Sequence, residues 1–350
     1  MRNEFLLILA LAAGPAWAEP THRVFVTNER GDSITVIDSR TLEVEATVPV
    51  GKHPRGIGLA PDGTEVYVAL GKENAIAVLD PKTLKVLRKI PSGDDPEAFA
   101  VHPNGHIYLS NEDAAKATVL DPKSGKVIAE IPVGLEPEGV AISPDGKQVI
   151  VTSESTNMLH VIAVPEHRVV ANILVGARPR AAVFNHDGTI AYATSEISGE
   201  VKRVDMVKHR VLNKVPLGDD NIKPKDILVS RDGTTLYVAG GRANQVIVLD
   251  EKTLGAKTRI PVGQRVWGLA MSDDGSRIYT TDGASNTVSV IDTAKNQVLA
   301  TIKVGEAPWG VVIDDRSSDA AVEGLKGQAT DTATEKAKDA IPTPKVPKLR

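Results

Sequence analysis

The sequence predicts an all-β protein, a seven-bladed β-propeller built from four-stranded antiparallel blades, and three observations carry that prediction. A Pro-Asp-Gly-type turn between two short apolar runs, as in residues 133–153, recurs with its glycine at Gly63, Gly105, Gly146, Gly188, Gly233 and Gly275, 41 to 45 residues apart. Each repeat holds four strand-length runs bounded by turn residues, which is the length and content of a propeller blade. The last repeat stops after one run, and the first three runs of the chain match the three it lacks.

Taken in order, residues 1–18 carry Arg2, an apolar run over 5–13 and Ala16-Trp17-Ala18 before Glu19. That pattern reads as a secretory signal cleaved after Ala18, with an apolar run too short to span a bilayer, so an exported, soluble chain is expected. Runs at 23–28, 34–38 and 43–50 follow. The first complete unit has runs at 54–59, 65–70, 75–80 and 85–91, joined by Pro61-Asp62-Gly63 and Asp80-Pro81-Lys82 turns. Successive units begin at Pro54, Pro96, Pro137, Pro179, Pro224, Val266 and Pro308, numbered here as blades one to seven. Blade seven supplies only residues 308–313, so the amino-terminal runs are expected to complete it and leave no open sheet edge. The propeller is thus assigned to residues 19–315. Residues 316–350, rich in Ala, Lys, Asp, Thr and Pro, read as a mobile low-complexity tail.

Composition removes several function classes. The formal charge of −4 gives no electrostatic footprint for nucleic acid. Absence of cysteine excludes a disulfide framework, a thiol nucleophile and c-type haem attachment. All five tyrosines, Tyr67, Tyr108, Tyr192, Tyr237 and Tyr279, occupy one slot of the second strand with Phe25 and Ile150, which marks them as packing between blades. No His-x-His or Glu-x-x-His spacing appears; Met158 and His160 alternate on one strand, and a core methionine beside a partnered histidine is the simpler reading than a copper site.

Function is sought where the repeats disagree. In an antiparallel blade the loops from strand two to three, and from strand four to the next blade, open on one face, called the top. The residue after each lead position is Arg55, Glu97, Glu138, Arg180, Lys225, Trp267 and Trp309, and these are expected to ring the channel mouth. Trp267 and Trp309 fall in neighbouring blades, with Arg55 brought beside Trp309 by closure. An aromatic wall beside cations suits a ligand or partner surface; the alternative is that tryptophan plugs the mouth. Blades two to four add Asp94, Asp95, Glu136, Asn111-Glu112-Asp113, Ser153-Glu154 and Ser195-Glu196. Such a carboxylate group must protonate or gain a cation, and its oxygen donors suit a hard ion, calcium or a lanthanide, with Glu97, Glu112, Asp113, Glu138 and Glu154 as expected ligands. A solvated acidic surface for a basic partner is the alternative.

Leu236-Tyr237-Val238-Ala239 and Ser289-Val290-Ile291-Asp292 resemble the YVTN-repeat propellers. The motifs Gly93-Asp94-Asp95-Pro96-Glu97, Asn111-Glu112-Asp113, Glu136-Pro137-Glu138-Gly139, Thr152-Ser153-Glu154, Thr156-Asn157-Met158, Ala177-Arg178-Pro179-Arg180, Gly263-Gln264-Arg265-Val266-Trp267 and Pro308-Trp309-Gly310 are similar to one exported subgroup, the propellers associated with catabolism dependent on pyrroloquinoline quinone (PQQ). The likeness covers about residues 20–315. It implies a periplasmic accessory protein, with a quinoprotein dehydrogenase, a cytochrome or a transport component as partner, and it implies no catalytic residue. The resulting expectation is a monomeric, non-catalytic binding or scaffold propeller that holds a hard metal ion, or else the quinone. For PQQ, Arg55, Arg180 and Lys225 would meet carboxylates while Trp267 and Trp309 meet the rings. Two alternatives stand beside it: a metal-assisted, lactonase-like hydrolase, and a docking protein for a dehydrogenase or cytochrome.

Overall fold

Strand runs such as Val66–Leu70 and Ala75–Leu79 are apolar at successive positions, so they need cover on both faces, and every residue in these two strands is buried. Outermost strands such as Arg168–Leu174 alternate instead, with exposed residues facing solvent. The chain satisfies both patterns by standing its sheets on edge around a common axis. A computed structural model describes residues 18–218 and 221–316, and among these it contains seven four-stranded antiparallel sheets. The expected signal and tail lie outside the described residues, apart from Ala18 and Arg316. Among the described residues no helix is long and apolar enough to cross a membrane.

Closure occurs as the repeat count requires. Pro308–Asp314 pairs antiparallel with Arg23–Asn28, in a register that sets Phe25 opposite Val312 and Asn28 opposite Pro308. The tyrosine slot packs between blades: Tyr67, Tyr108, Tyr192 and Tyr279 are at most 2% exposed. Their hydroxyls are anchored, Tyr67 on Glu65, Tyr108 on His167, Tyr192 on Glu251 and Tyr279 on the Ser39 carbonyl. His160 accepts the Gly134 N–H through Nε2 and meets Asn172 through Nδ1, so both ring nitrogens have protein partners.

A belt of hydroxyls links successive blades near the channel. In five blades the residue two positions after the tyrosine slot of the second strand is Thr27, Ser110, Thr152, Thr194 or Thr281. Each hydroxyl accepts an N–H from its own blade's innermost strand, at Gly310, Ala98, Gly139, Ala181 or Gly268. Each also donates to the mouth residue of the next blade, at the carbonyls of Arg55, Glu138, Arg180, Lys225 and Trp309. The blades meet so closely there that a Cβ on Gly139 would lie 2.4 Å from the Arg180 carbonyl oxygen.

Blade five departs from the expected pattern. Its innermost strand was expected to begin at Pro224, and it begins at Ile227. The belt residue is Ala239, which carries no hydroxyl, and Asp226 stands where the other blades have glycine or alanine. The Asp226 carboxylate accepts the N–H of Leu269 in blade six and that of Ile227 beside it. A side chain that precedes the innermost strand therefore links blade five to blade six; blade one, with Ala69 at the slot, lacks the hydroxyl as well. Removing one belt hydroxyl tests this account: Thr152→Val strands the Gly139 N–H and the Arg180 carbonyl, so a loss of about 1–3 kcal/mol is expected in chemical denaturation. An unchanged midpoint would show that the belt is incidental.

Candidate functional site

Neighbours among the seven expected mouth residues meet across blades, Arg55 with Glu97, Glu138 with Arg180, Lys225 with Trp267 and Trp267 with Trp309, and the belt holds the backbone of five of the seven. What the repeat does not reveal is how their charges pair. Arg55 gathers one group. Its guanidinium contacts Glu97, lies 2.9 Å from Glu29, and stands 3.5 Å from Glu112 and 3.8 Å from Asp95. His53 adds a second contact to Glu29 at 3.1 Å. Burial pushes the Glu29 carboxyl up, but hydrogen bonds from His53 and Arg55 outweigh it and hold the group at about 2. Asp95 and Glu112 are raised, first by burial; the charges of Glu112 and Asp113 add for Asp95, and that of Glu138 for Glu112.

Arg180 gathers the second group. It is 8% exposed and contacts Glu138 at 2.9 Å, Glu154 directly and Glu196 at 3.6 Å. Arg178 reaches Glu154 at 2.5 Å, and Lys225 reaches Glu196 at 2.7 Å. Three cations thus face three carboxylates, close to neutral, whereas the Arg55 group carries an excess of acid. The ammonium of Lys225 also lies 4.1 Å from the centre of the Trp267 ring, with Arg265 and Arg180 at 5.0 and 5.1 Å. Trp267 and Trp309 stack with centroids 6.2 Å apart. Burial and the repulsion of Arg180 depress Lys225 to about 7, although Glu196 opposes them.

The five expected metal ligands do not converge. Glu97 and Glu112 lie with Asp95 about Arg55; Glu138 and Glu154 lie about Arg180; Asp113 is exposed on its loop. Asp95, Glu97 and Glu112 form the one acidic group among the described residues whose oxygens lie within 4.8 Å of one another. Arg55 already sits among those oxygens, so the positive charge they require is supplied by the protein, and a hard cation would have to displace it. The expected quinone-binding residues fare differently. Arg180, Lys225, Trp267 and Trp309 line one cavity of about 200 Å³ together with Glu138, while Arg55 faces a separate hollow with His53, Asp94, Asp95 and Asp113.

The same cavity is lined by Asp226, which the sequence reading passed over. It is partly exposed, toward the cavity it lines, and its burial among the surrounding blades raises its carboxyl to about 6. The signal was present in the third slot of the innermost strand, where Gly56, Ala98, Gly139, Ala181, Gly268 and Gly310 leave a lone carboxylate out of pattern. Glu29, His53 and Arg178 lacked any such marker, because their roles depend on reach across blades.

A model of the YNCE-like beta-propeller family matches residues 93–190, which supports assignment to the β-propellers. No curated protein sequence matches the chain. Among solved structures, hydrazine synthase of Kuenenia stuttgartiensis is similar with a TM-score of 0.71 at 23% identity, covering 82% of this chain and 99% of that one. The periplasmic gluconolactonase PpgL of Pseudomonas aeruginosa is similar with a TM-score of 0.71 at 20% identity, covering 84% and 99%. The dihydro-heme d1 dehydrogenase NirN gives 0.65 at 15%, covering 88% and 78%. Likeness at such identities concerns the fold alone.

Arg180→Met should leave Glu138, Glu154 and Glu196 with too little positive charge. The expected loss is about 3–5 kcal/mol at neutral pH. Without the guanidinium these carboxyls bind protons more readily folded than unfolded, so acidification should recover part of the loss. A variant as stable as the parent at pH 7, or one further weakened at mildly acidic pH, would contradict the network.

Proposed function

We propose that this chain is a small-ligand-binding propeller of the periplasm, accessory to quinone-dependent alcohol oxidation, whose ligand is a flat molecule bearing carboxylates, such as PQQ. The single observation that carries the reading is the cavity in which Lys225 and Arg180 stand against the stacked Trp267 and Trp309. The chemistry of the set suits that ligand: cations for carboxylates and indole faces for a conjugated ring. When bound, PQQ would supply a redox-active quinone, and this chain's residues would bind and orient it. The periplasmic assignment rests on the signal-like residues 1–18 and on the subgroup resemblance. A hard metal ion is the weaker candidate, because the Arg55 guanidinium already sits among the oxygens of the one compact acidic group among the described residues.

One observation favours a second reading, hydrolysis of a lactone. Asp226 and Lys225 line one cavity and titrate near 6 and 7, where groups that exchange protons at neutral pH are expected. A periplasmic gluconolactonase shares the fold.

Titrating the purified protein with PQQ, calcium and lanthanum while following tryptophan fluorescence separates these readings. Quenching by PQQ with a dissociation constant well below about a millimolar is expected, weakened at least about tenfold in Trp309→Ala. Affinity should fall as pH rises through about 7, since a carboxylate binds the protonated Lys225 and that proton is lost above its folded value. No binding of any of the three below about a millimolar ends the small-ligand reading. Turnover of a lactone panel, abolished by Asp226→Asn, would establish the second reading instead; a panel without turnover ends it.

A further inference from the structure

Lys225 is the one lysine in the buried class among the described residues, at 7% exposure. Its ammonium does not reach outward to bulk water, as lysines ordinarily do. It stands at the cavity wall between the Glu196 carboxylate, 2.7 Å away, and the face of Trp267. The charged groups around it are Arg180 and Glu196 from blade four, Glu138 from blade three and, across Trp267, Arg265 from blade six. An amine desolvated beside another cation is the arrangement that turns lysine into a nucleophile toward carbonyl carbon.

We propose that Lys225 is a carbonyl-reactive amine, which captures a small aldehyde or activated ketone entering the cavity as an imine, with Glu196 as the proton carrier. The step balances without any other reactant. Glu196 accepts a proton from the ammonium; the freed lone pair forms a C–N bond to the carbonyl carbon as the C=O π pair moves to oxygen. A proton passes from nitrogen to that oxygen, and Glu196 returns its own proton as the hydroxyl departs. The products are one iminium and one water, and nothing is oxidised or reduced. The iminium keeps its positive charge where the ammonium held it, against Glu196 and the Trp267 face. The depressed basicity of Lys225 supplies free amine at neutral pH, which exposed lysines lack. This reading uses the cavity of the proposed ligand site but does not require that the physiological ligand carry a carbonyl.

The test is reductive trapping. The purified folded protein is treated with propanal and cyanoborohydride at pH 7, digested, and the propylated lysines are mapped by mass spectrometry over time. Lys225 should be labelled at least about tenfold faster than exposed lysines such as Lys123 and Lys252. Its labelling rate should level off above about pH 7, whereas theirs keeps climbing with pH. Because Glu196 also helps hold the Lys225 proton, its role as proton carrier is read above about pH 8, where Glu196→Gln should slow labelling of Lys225 and leave Lys123 unchanged. Lys225 labelled no faster than exposed lysines overturns the proposal, even in a protein that binds PQQ. Fast labelling in a protein that binds no carboxylate ligand sustains it and sinks only the ligand reading. The labelling rate of Lys225 and the binding of PQQ are both measured on the unmodified sequence, so poor folding of Glu196→Gln cannot mask the outcome.

Discussion

The belt of serine and threonine hydroxyls is the constraint from which the top face follows. In five of the seven blades one oxygen accepts an N–H from its own innermost strand and donates to the carbonyl of the next blade's mouth residue. The bonds are buried and directional, so they set how far one blade stands from the next and pin the backbone of Arg55, Glu138, Arg180, Lys225 and Trp309. Glycine or alanine one residue further along is the steric consequence, since the neighbouring carbonyl leaves little room for a side chain. A rigid ring of backbone thus presents variable side chains into one channel mouth, the division of labour by which a repeat scaffold carries a specific site.

At one of the two blades where the belt lapses, the chain has substituted something with its own chemistry. Blade five lacks the hydroxyl, and the Asp226 carboxylate makes the blade-to-blade bond instead. The same substitution sets a titratable group on the cavity wall, beside the only mouth lysine. Structure and chemistry are therefore joined at this blade: the bond to Leu269 orients the carboxylate, and the surrounding blades raise its affinity for a proton.

The charges of the mouth solve a problem of desolvation in two ways. Around Arg180 three cations meet three carboxylates, and buried ions are tolerated because each has a partner. Around Arg55 carboxylates outnumber the cation, and Asp95 and Glu112 hold protons more readily than usual, first because they are buried and then because of the neighbouring carboxylates. An arginine at the centre of each group explains why a set of oxygen donors that reads as a metal site in one dimension folds into two ion-pair networks. The arginine fork reaches several carboxylates at once and is always charged, so it occupies the position that a hard cation would otherwise take.

The number of blades, the closure of the ring by the first and last segments, the role of the tyrosine slot and the identity of the seven mouth residues were all legible in the amino-acid sequence. They are properties of a local period: each blade repeats the same turns, the same alternation and the same lead position, and strand geometry converts register into direction. The pairing of Arg55 with Glu29 and Glu112, the division of the acidic residues between two arginines, the burial of Lys225 against Trp267 and the bond from Asp226 to blade six came only from the tertiary structure. Those contacts join residues of different blades, and they depend on side-chain reach and on water withheld by neighbours, neither of which a repeat encodes.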